Sequence, residues 1–486
     1  MPTFNKTKVV ATVGPACWDE ETLAFLIREG VDVFRLNFSH GTAAEHETSL
    51  VNIRAAAASC RAIVAVMGDL CGPKIRVGHV EGDRFDIAEG DSLRIMPGEF
   101  LCTPERICTS YDALCDDVRV GQRVLIDDGH VHLRAIAKEE AALVCRCETG
   151  GAIGTRKGVN LPDTQLSLPS LTDKDREDLV WAVEHELDYL ALSFVRSAED
   201  LIELRRALKA RSSDMQVVSK IERPEAIERL DEIIELSDAV MVARGDLGVE
   251  MEVSRVPLIQ KDITHRCARV GKPVIIATQM LQTMVESPVP TRAEVSDVAN
   301  AILDGADAVM LSAETSVGLH PIEALRVIRG IANETEAFLA ASPETSVPRI
   351  SSTAMQVTSA IAHGASIIGR ELQLRLIAVW TETGATVRLL SKRRPPQRIA
   401  GLTGSDRVCR RMCLYYGVEP IRMERNEDYR QMVSEVSRAL QNRDFAAPGD
   451  RIAVLAGTHL RQPGATNALL IHLIAAPDEA TGSTTG

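Results

Sequence analysis

The sequence lacks several features that would place it in a specialised class of protein. No run of about 18 uncharged apolar residues occurs, so no membrane span is predicted. The first ten residues contain Lys6 and Lys8 but lead straight into a strand-like segment, and we expect no signal peptide there. The net charge is −13 and only Lys392–Arg394 approaches a basic patch, which argues against nucleic-acid binding.

The cysteine pattern also lacks the features of a specialised class of protein. The chain has 11 cysteines at irregular spacing and no Cys-x-x-Cys, which excludes a recognisable disulfide framework or zinc motif. We therefore expect reduced thiols and a cytoplasmic protein. The phosphate-binding pattern G-x-x-x-x-G-K-[ST] is absent as well, so any phosphate must be bound by another device.

What the chain does contain is enough sequence for two or three domains, because 486 residues exceed the size of one hydrophobic core. Eight apolar, β-rich runs recur, most of them followed by an amphipathic helical segment. The runs are 8–14, 31–39, 62–70, 188–194, 215–222, 239–246, 272–280 and 308–315. Eight such units predict an α/β fold, a (β/α)8 TIM barrel.

Two further regions interrupt or follow this pattern. Residues 73–168 are rich in β-formers, Gly and Asp, and predict a small β-barrel inserted as a lid. After residue 345 a helix and five strand-like runs predict a C-terminal α/β domain with an open sheet. The expected division is a catalytic barrel at 1–72 and 169–345, the lid at 73–168, a regulatory domain at 346–478 and a disordered tail at 479–486.

Polar residues gather where the predicted barrel strands end. They are Asn37, Ser39, Asp69, Ser193, Lys220, Glu222, Asp246 and Thr278. Any one of them could be an ordinary strand-to-loop transition, but the coincidence over most of the strands favours an active site, which lies at this end of such barrels.

The spacing of the charged residues suggests phosphoryl chemistry. Lys220 and Glu222 alternate on one strand and share a face, while Asp246 ends the next strand. Two carboxylates can hold Mg²⁺, and a nearby lysine can neutralise a phosphoryl group in transfer. Arg35 could bind phosphate or carboxylate; the structural alternative is a buried ion pair with a barrel carboxylate.

A series of ordered motifs then resembles the pyruvate kinase family. The motifs are TVGPA (12–16), FRLNFSHG (34–41), GDLCGPKIR (68–76), KGVNLP (157–162), SKIERPEAI (219–227), MVARGDLGVE (241–250), KPVIIATQML (272–281) and PTRAEVSDVANAILDGADAVMLSAET (290–315). The resemblance is dense over residues 1–330 and looser beyond. It implies transfer of the phosphoryl group of phosphoenolpyruvate to ADP, giving pyruvate and ATP in the last step of glycolysis, with Mg²⁺ or alternatively Mn²⁺ as cofactor.

The resemblance also implies roles for individual residues. Glu222 and Asp246 bind the metal, and Lys220 and Arg35 contact the phosphoryl group. Ser193 lies with the substrate, and the backbone amides of Gly245 and Asp246 receive the substrate carboxylate. Thr278 belongs to the proton relay that forms pyruvate. The implied nucleotide residues are Thr12, Pro15, His40, Arg76 and Lys157. One departure is Val317, which stands where relatives often have Lys, and another is Cys71 at the mouth of the site.

A cation pocket is implied at Asn37, Ser39, Asp69 and Leu70, where many relatives hold K⁺. The segment continues to Lys74, which stands where the K⁺-requiring group has Glu. The resemblance links this Lys to a bacterial-type, K⁺-independent subgroup, since an ammonium can supply the missing charge. The alternative is that Lys74 pairs with a surface carboxylate.

Regulation and assembly are the last expectations. The loop containing Thr381, Thr383, Gly384 and Thr386 corresponds to an effector loop, but Glu382 should repel a doubly charged phosphate. We expect weak or no response to fructose 1,6-bisphosphate and a sugar monophosphate or AMP as effector; the alternative is an unliganded, structural loop. We also expect a homotetramer with contacts near PTRAE and the helix at 353–370. Two other functions remain open at this point: a Mg²⁺-dependent lyase or aldolase, and a non-enzymatic sensor.

Overall fold

A closed parallel barrel forms the centre of the computed structural model, which describes residues 4–139, 141–341, 356–424, 428–457 and 466–475. Strands and helices are numbered in chain order. The barrel strands are β1 (Lys8–Thr12), β2 (Val33–Asn37), β3 (Ala65–Asp69), β12 (Tyr189–Leu192), β13 (Gln216–Ile221), β14 (Ala239–Ala243), β15 (Val274–Ala277) and β16 (Ala308–Leu311). All eight predicted strands are confirmed, and each is shorter than its apolar run.

Helices cover the outside of the barrel. The first are α1 (Glu20–Glu29), α2 (Ala43–Cys60), α4 (Asp173–Glu184), α5 (Ala198–Lys209), α6 (Pro224–Glu228) and α7 (Leu230–Leu236). The others are α8 (Arg244–Glu250), α9 (Val256–Val270), α10 (Arg292–Leu303), α11 (Ala313–Ser316) and α12 (Pro321–Ala341). Helices α1, α2, α4 and α10 begin at side-chain caps. Thr42 and Glu45 form a reciprocal capping box on α2, and Thr291 and Glu294 form one on α10.

The long insertion after β3 is confirmed as β structure; residues 73–168 are called the lid segment below. It contains β4 (Arg84–Ile87), β5 (Ser92–Pro97), β6 (Arg106–Thr109), α3 (Leu114–Asp117), β7 (Arg123–Ile126), β8 (Val131–Glu139), β9 (Ala142–Thr149), β10 (Gly151–Gly154) and β11 (Val159–Asn160). Its main sheet is open, in the order β11-β7-β8-β9-β5-β6, and β10 pairs with β4. The structure thus has an open sheet where the sequence predicted a small barrel.

The C-terminal domain is an open sheet, as predicted. Its elements are α13 (Gln356–Glu371), β17 (Leu376–Trp380), α14 (Ala385–Ser391), β18 (Arg398–Thr403), α15 (Asp406–Met412), β19 (Val418–Arg422), α16 (Tyr429–Gln441), β20 (Arg451–Ala456) and β21 (Ala468–Leu473). The order is β19-β18-β17-β20-β21, parallel except for β21. The predicted tail at 479–486 lies outside the described residues.

The interior of the barrel is continuous with the core of the C-terminal domain. Buried residues inside the barrel, such as Met67 and Tyr189, belong to the same apolar cluster as Ile377 and Tyr415. The hydroxyl of Tyr189 also donates to the carbonyl of Arg411. The C-terminal domain therefore closes the amino end of the barrel and leaves the carboxyl end for the site.

Two expectations from composition can be compared with the structure. All 11 cysteines are free thiols, as predicted. Within the described part of the chain, no helix combines the length and the apolar character needed to cross a membrane.

Candidate active site

Lys220 is the centre of a charged cluster at the carboxyl end of the barrel. Its Nζ lies 2.8 Å from Oε1 of Glu222 and 3.3 Å from Oδ1 of Asp69. The same Nζ donates to Oγ of Ser193 at 2.6 Å. Because Lys220 and Glu222 are two residues apart at the end of β13, they lie on the same side of the chain, as the spacing predicted.

The ion pairs in the cluster stabilise the ionised forms of Lys220 and Asp69 although both are buried. Burial by itself would lower the pKa of Lys220, but the carboxylates of Asp69 and Glu222 outweigh it and raise that pKa. Burial by itself would raise the pKa of Asp69, but Lys220 and Arg35 hold it below its usual value. The site therefore presents an ammonium and a guanidinium in a setting of low water content, where they act strongly on an anion.

Arg35 is paired inside the barrel. Its Nε lies 2.6 Å from Oδ2 of Asp69, and its Nη1 donates to Oγ1 of Thr12 at 3.0 Å. The ion pair that we weighed as the structural alternative is thus present. It also fixes the guanidinium beside Lys220, since both cations contact Asp69.

Glu222 and Asp246 form a donor set that fits a hard divalent cation. Burial raises the pKa of Glu222, and repulsion from Asp246 adds to that rise. A cation bound between the two carboxylates would relieve this repulsion. Oε2 of Glu222 already accepts from the backbone N–H of Phe194 at 2.8 Å, which orients the carboxylate. Among the described residues, no group of three or more His, Cys, Asp and Glu is placed to hold a metal ion.

Thr278 has a strained backbone directly after β15. Its φ is +67°, and that of Gln279 is +55°, a region that β-branched residues rarely adopt. Its Oγ1 accepts from the N–H of Gly245 at 2.7 Å, so two predicted substrate-binding residues are in contact. The amide expected to receive the substrate carboxylate is thus occupied by the Thr278 hydroxyl in this structure.

Arg244 holds this strained turn and was missed in the sequence. Its Nη2 donates to the carbonyl of Thr278 at 3.0 Å, and its Nη1 to Oδ1 of Asp297 on α10 at 2.7 Å. Arg244 directly precedes Gly245 and Asp246 in the sequence, and this position was the one available indication of a role. Its hydrogen-bond partners are 34 and 53 residues away in sequence. No local pattern predicts such contacts.

A cavity of about 350 Å³ opens beside Thr12, whose hydroxyl accepts from Arg35. It is lined by three of the predicted nucleotide residues, Thr12, Pro15 and His40, together with Asn37 and the exposed Val317. The pKa of His40 is lowered by burial and by the nearby cations of Arg76, Lys74 and Arg35. These cations lie near one side of the cavity without lining it, and the carboxylate of Glu45 is part of the lining.

The other two predicted nucleotide residues lie on the lid segment and do not line this cavity. Arg76 donates to the carbonyl of Arg156 at 3.2 Å. Nζ of Lys157 lies 2.9 Å from Oδ1 of Asp127. Lys157 is about half exposed, whereas Arg76 is less exposed and lies close enough to His40 to lower the pKa of that imidazole.

In the predicted cation pocket, several of the oxygen atoms expected to bind the ion form hydrogen bonds or ion pairs within the protein. Oγ of Ser193 donates to the carbonyl of Leu70 at 2.7 Å, and the amide oxygen of Asn37 accepts from the N–H of Ser39 at 3.3 Å. Asp69 is shared by two cations. Lys74 forms no ion pair with any carboxylate in the described part of the chain, so the surface pairing considered as an alternative is not observed.

The predicted effector loop lies in the C-terminal domain, between β17 and α14, and is tied to itself. The hydroxyl of Thr381 accepts from the N–H of Gly384 at 2.9 Å, and that of Thr383 from Ala385 at 3.4 Å. Thr386 shares a hydrogen bond with Thr466 at 2.7 Å. Gly384 has a φ of +83°, which favours glycine at the start of the helix.

The barrel, its lid segment and the charged cluster define a (β/α)8-barrel enzyme that acts on anionic substrates. Residues 4–325 match the family model described as pyruvate kinase, barrel domain, and residues 359–472 match that described as pyruvate kinase, alpha/beta domain. The chain belongs to the pyruvate kinase family.

Curated and solved relatives agree with this assignment. The chain is 40% identical over 473 residues to a pyruvate kinase from Geobacillus stearothermophilus, covering 97% of this chain and 80% of that protein. It is 41% identical over 477 residues to one from Agrobacterium vitis, covering 98% of both. A crystal structure of a pyruvate kinase from Cryptosporidium parvum superposes with a TM-score of 0.88 at 34% identity, covering 97% of this chain and 96% of that one.

Proposed function

We propose that this enzyme transfers the phosphoryl group of phosphoenolpyruvate to ADP through the charged cluster around Lys220. The observation that carries the proposal is the buried ammonium held between Glu222 and Asp69 at the barrel mouth. In this step the bond from phosphorus to the enol oxygen breaks and a bond to the terminal phosphate oxygen of ADP forms. Lys220 and Arg35 neutralise the charge on the phosphoryl oxygens as it passes.

The divalent cation belongs to Glu222 and Asp246 in this proposal, with Mg²⁺ as the expected ion and Mn²⁺ as an alternative. When bound, it would supply charge neutralisation to the substrate oxygens. Gly245 and Asp246 then offer backbone amides to the substrate carboxylate, with Ser193 nearby. For this, the Thr278 hydroxyl must release the amide of Gly245. The released hydroxyl can then take part in protonating the enol carbon after transfer.

The nucleotide belongs to the cavity lined by Thr12, Pro15 and His40. Arg76 and Lys157 would join it from the lid segment, as lids complete sites in other enzymes when they close. Val317 lines the cavity where a cation is frequent in relatives, so one phosphate contact is replaced by an apolar one.

A coupled assay tests the reaction directly. Pyruvate should form from phosphoenolpyruvate and ADP only when Mg²⁺ or Mn²⁺ is present. A Mg²⁺-dependent lyase or aldolase would release product without ADP, and a non-enzymatic sensor would release none; either result would sink the proposal.

We further infer that the enzyme belongs to the bacterial-type, K⁺-independent subgroup, with Lys74 in place of the ion. Lys74 has no carboxylate partner among the described residues and lies near His40. At about 4 Å and an effective dielectric near 20, one positive charge is worth roughly 4 kcal/mol to an anion. One positive charge beside the bound anion should therefore contribute measurably to binding, whether it comes from K⁺ or from the Lys74 ammonium.

The test compares activity with and without K⁺. Wild type should be nearly fully active without K⁺ and Na⁺, and Lys74→Glu should become strongly K⁺-dependent. The exposed Lys209→Glu serves as the matched control and should stay independent of K⁺. Stimulation of wild type by K⁺ beyond about tenfold, or roughly 1.4 kcal/mol, would contradict the inference.

The effector loop supports a weaker response to fructose 1,6-bisphosphate than to a sugar monophosphate or AMP. Glu382 places a carboxylate beside Thr381, Thr383, Gly384 and Thr386, and repels a second phosphate more than a first. An activator screen that follows the KM for phosphoenolpyruvate checks this. A large fall in that KM with micromolar fructose 1,6-bisphosphate would contradict it.

The remaining assignments concern the whole assembly. We propose a cytoplasmic homotetramer that binds neither nucleic acid nor membrane. Each chain is divided into the catalytic barrel (1–72 and 169–345), the lid segment (73–168), the C-terminal regulatory domain (346–478) and the tail (479–486). Exposed apolar residues on α13 and on the edge strand β21, such as Val357 and Leu473, support a contact between C-terminal domains, and the segment Pro290–Glu294 remains a candidate for barrel contacts. Sedimentation as a stable monomer at micromolar concentration would refute the assembly.

A further inference from the structure

A buried ion pair lies outside the phosphoryl-binding cluster, at the junction between the barrel and the lid segment. Nη1 of Arg223 lies 2.9 Å from Oε2 of Glu250, and the two side chains are only 3% and 1% exposed. Taking two charges out of water is costly, so such a pair persists only where further hydrogen bonds satisfy both groups.

Those further bonds come from α6 and from two residues of the lid segment. Arg223 also donates to the carboxylate of Glu225 at 2.9 Å and to the carbonyl of Thr164 at 3.2 Å. The second oxygen of Glu250, Oε1, accepts from Nδ2 of Asn160 at 2.7 Å. Asn160 belongs to β11, which pairs with β7 in the main sheet of the lid segment. The ion pair is therefore a meeting point of the loop after β13, the end of α8 and the lid.

Each member of the pair is also close in sequence to a proposed metal ligand. Arg223 directly follows Glu222. Glu250 is the last residue of α8, and Asp246 lies in the first turn of the same helix. Seven helical residues span only about 10 Å, so α8 moves as one short rigid unit. A shift at the ion pair therefore changes how Glu222 and Asp246 face each other.

The junction leaves little room to absorb such a shift. The cavity beside the ion pair measures about 20 Å³ and is lined by Lys74, Asn160, Arg223 and Glu250 among others. That volume holds about one water molecule. Because close-packed junctions transmit displacement, a movement of Asn160 reaches Glu250 directly.

We propose that the Arg223–Glu250 pair couples the lid segment to the metal site through Asn160. The lid's position and divalent-cation binding at Glu222 and Asp246 then bias each other by the same factor, as linkage requires. Arg223, Glu250 and Asn160 are positioning residues in this scheme. The inference rests on the proposed function, because it takes the metal to lie at those two carboxylates.

The experiment uses Mn²⁺ alone as the probe, without substrate or nucleotide. Asn160→Leu removes the amide that joins the lid to Glu250 and leaves the ion pair in place. Thr155→Val is the matched control, since Thr155 accepts from the N–H of Val80 at 3.0 Å, a bond confined to the lid segment. Electron paramagnetic resonance of free Mn²⁺ gives the affinity, and hydrogen–deuterium exchange of β7 and β11 reports on the lid.

In wild type and Thr155→Val, saturating Mn²⁺ should slow exchange in the lid strands by about fivefold or more, the lower end of typical coupling. In Asn160→Leu, Mn²⁺ should still bind, but the lid strands should no longer respond. Asn160→Ala carries the same expectation if the leucine variant does not fold. A lid response retained in the variant, or absent from wild type that binds Mn²⁺, overturns the coupling.

Failure of the proposed function gives a different result. An enzyme that does not bind Mn²⁺ at all loses both the metal assignment and the inference. An enzyme that binds Mn²⁺ and transfers the phosphoryl group, but whose lid does not respond, loses the inference alone.

Discussion

The two ends of the barrel use the same types of side chain to different effect. At the amino end, an aspartate stands immediately before every second strand and accepts the backbone N–H of the neighbouring strand. The pairs are Asp32 with Val9 at 2.9 Å, Asp188 with Val66 at 2.9 Å, Asp238 with Val217 at 2.9 Å and Asp307 with Val274 at 2.7 Å. Each aspartate also contacts a cation, in turn Lys8, Arg410, Arg205 and Lys392.

Two of those cations come from the C-terminal domain. Arg410 on α15 reaches Asp188, and Lys392 reaches Asp307 at 2.6 Å. The amino end is thus a set of repeated contacts, and two of the four join the domains. Its arrangement is that of a structure stabilised by burial and pairing.

The carboxyl end pairs its charges as well, and it has strained backbone directly at the site. Phe194 and Thr278 have φ values of +55° and +67°, and neither is glycine. Such conformations cost about 1–3 kcal/mol each and persist where the surroundings hold them. Positive φ values also occur at the amino end, at Arg61, Glu186 and Ser212, so neither paired charges nor a strained backbone marks the active end by itself. The carboxyl end differs because its strained residues contact the site: Phe194 donates to Glu222, and Thr278 accepts from Gly245.

The largest effect should come from breaking the most buried contact at the amino end. Lys392→Met leaves Asp307 buried without its cation, because the two side chains are 2% and 1% exposed. We expect the free energy of unfolding to fall by about 3–5 kcal/mol. Urea unfolding followed by far-ultraviolet circular dichroism, at fixed protein concentration, measures it. An unchanged midpoint would mean that the domain contact carries no stability.

At the carboxyl end, Lys220→Met should affect catalysis before stability. Loss of one aimed cation costs on the order of 3–4 kcal/mol, or 10²–10³ in kcat. Ketonisation of enolpyruvate should survive better, because Thr278 remains. The exposed Lys209→Met is the control for loss of a positive charge and should behave as wild type. Retention of more than about a tenth of wild-type kcat would reject the assignment.

A smaller effect is expected from the residue that holds the strained turn. Arg244→Met removes the donor to the carbonyl of Thr278 and should lower kcat by about 10- to 100-fold, since a misplaced group costs up to that much. Asp297→Asn keeps a hydrogen-bond acceptor for Arg244 and should lose less. Equal losses in both variants would indicate that the charge, rather than the position of Thr278, matters.

The same comparison shows what the sequence could predict. The barrel strands were recoverable because both faces of each are buried and their residues are continuously apolar. The runs were predicted too long, to residues 194 and 280, because no residue type signals the positive φ of Phe194 or Thr278. The proximity of Lys220 and Glu222 followed from their spacing of two.

Contacts between distant segments could not be predicted in this way. Glu250 meets Asn160 across 90 residues and Arg223 across 27, and neither separation leaves a periodic trace. The repeated aspartates at the amino end do have a recognisable sequence pattern, which is an apolar or small residue followed by Asp immediately before a strand. Only the structure gives that repeat its partners, because two of the cations lie in another domain.

The smallest expected effect tests whether burial decides the stability of the amino end. Asp238 and Arg205 form the same kind of pair as Asp307 and Lys392, but their side chains are 24% and 36% exposed. Water screens such a pair, so Arg205→Met should lower the free energy of unfolding by only about 0.5–1 kcal/mol, even though the guanidinium also donates to the carbonyl of Leu236. Urea unfolding of Arg205→Met and Lys392→Met side by side measures the difference. Equal losses would show that repetition of the contact, and not its burial, sets its contribution.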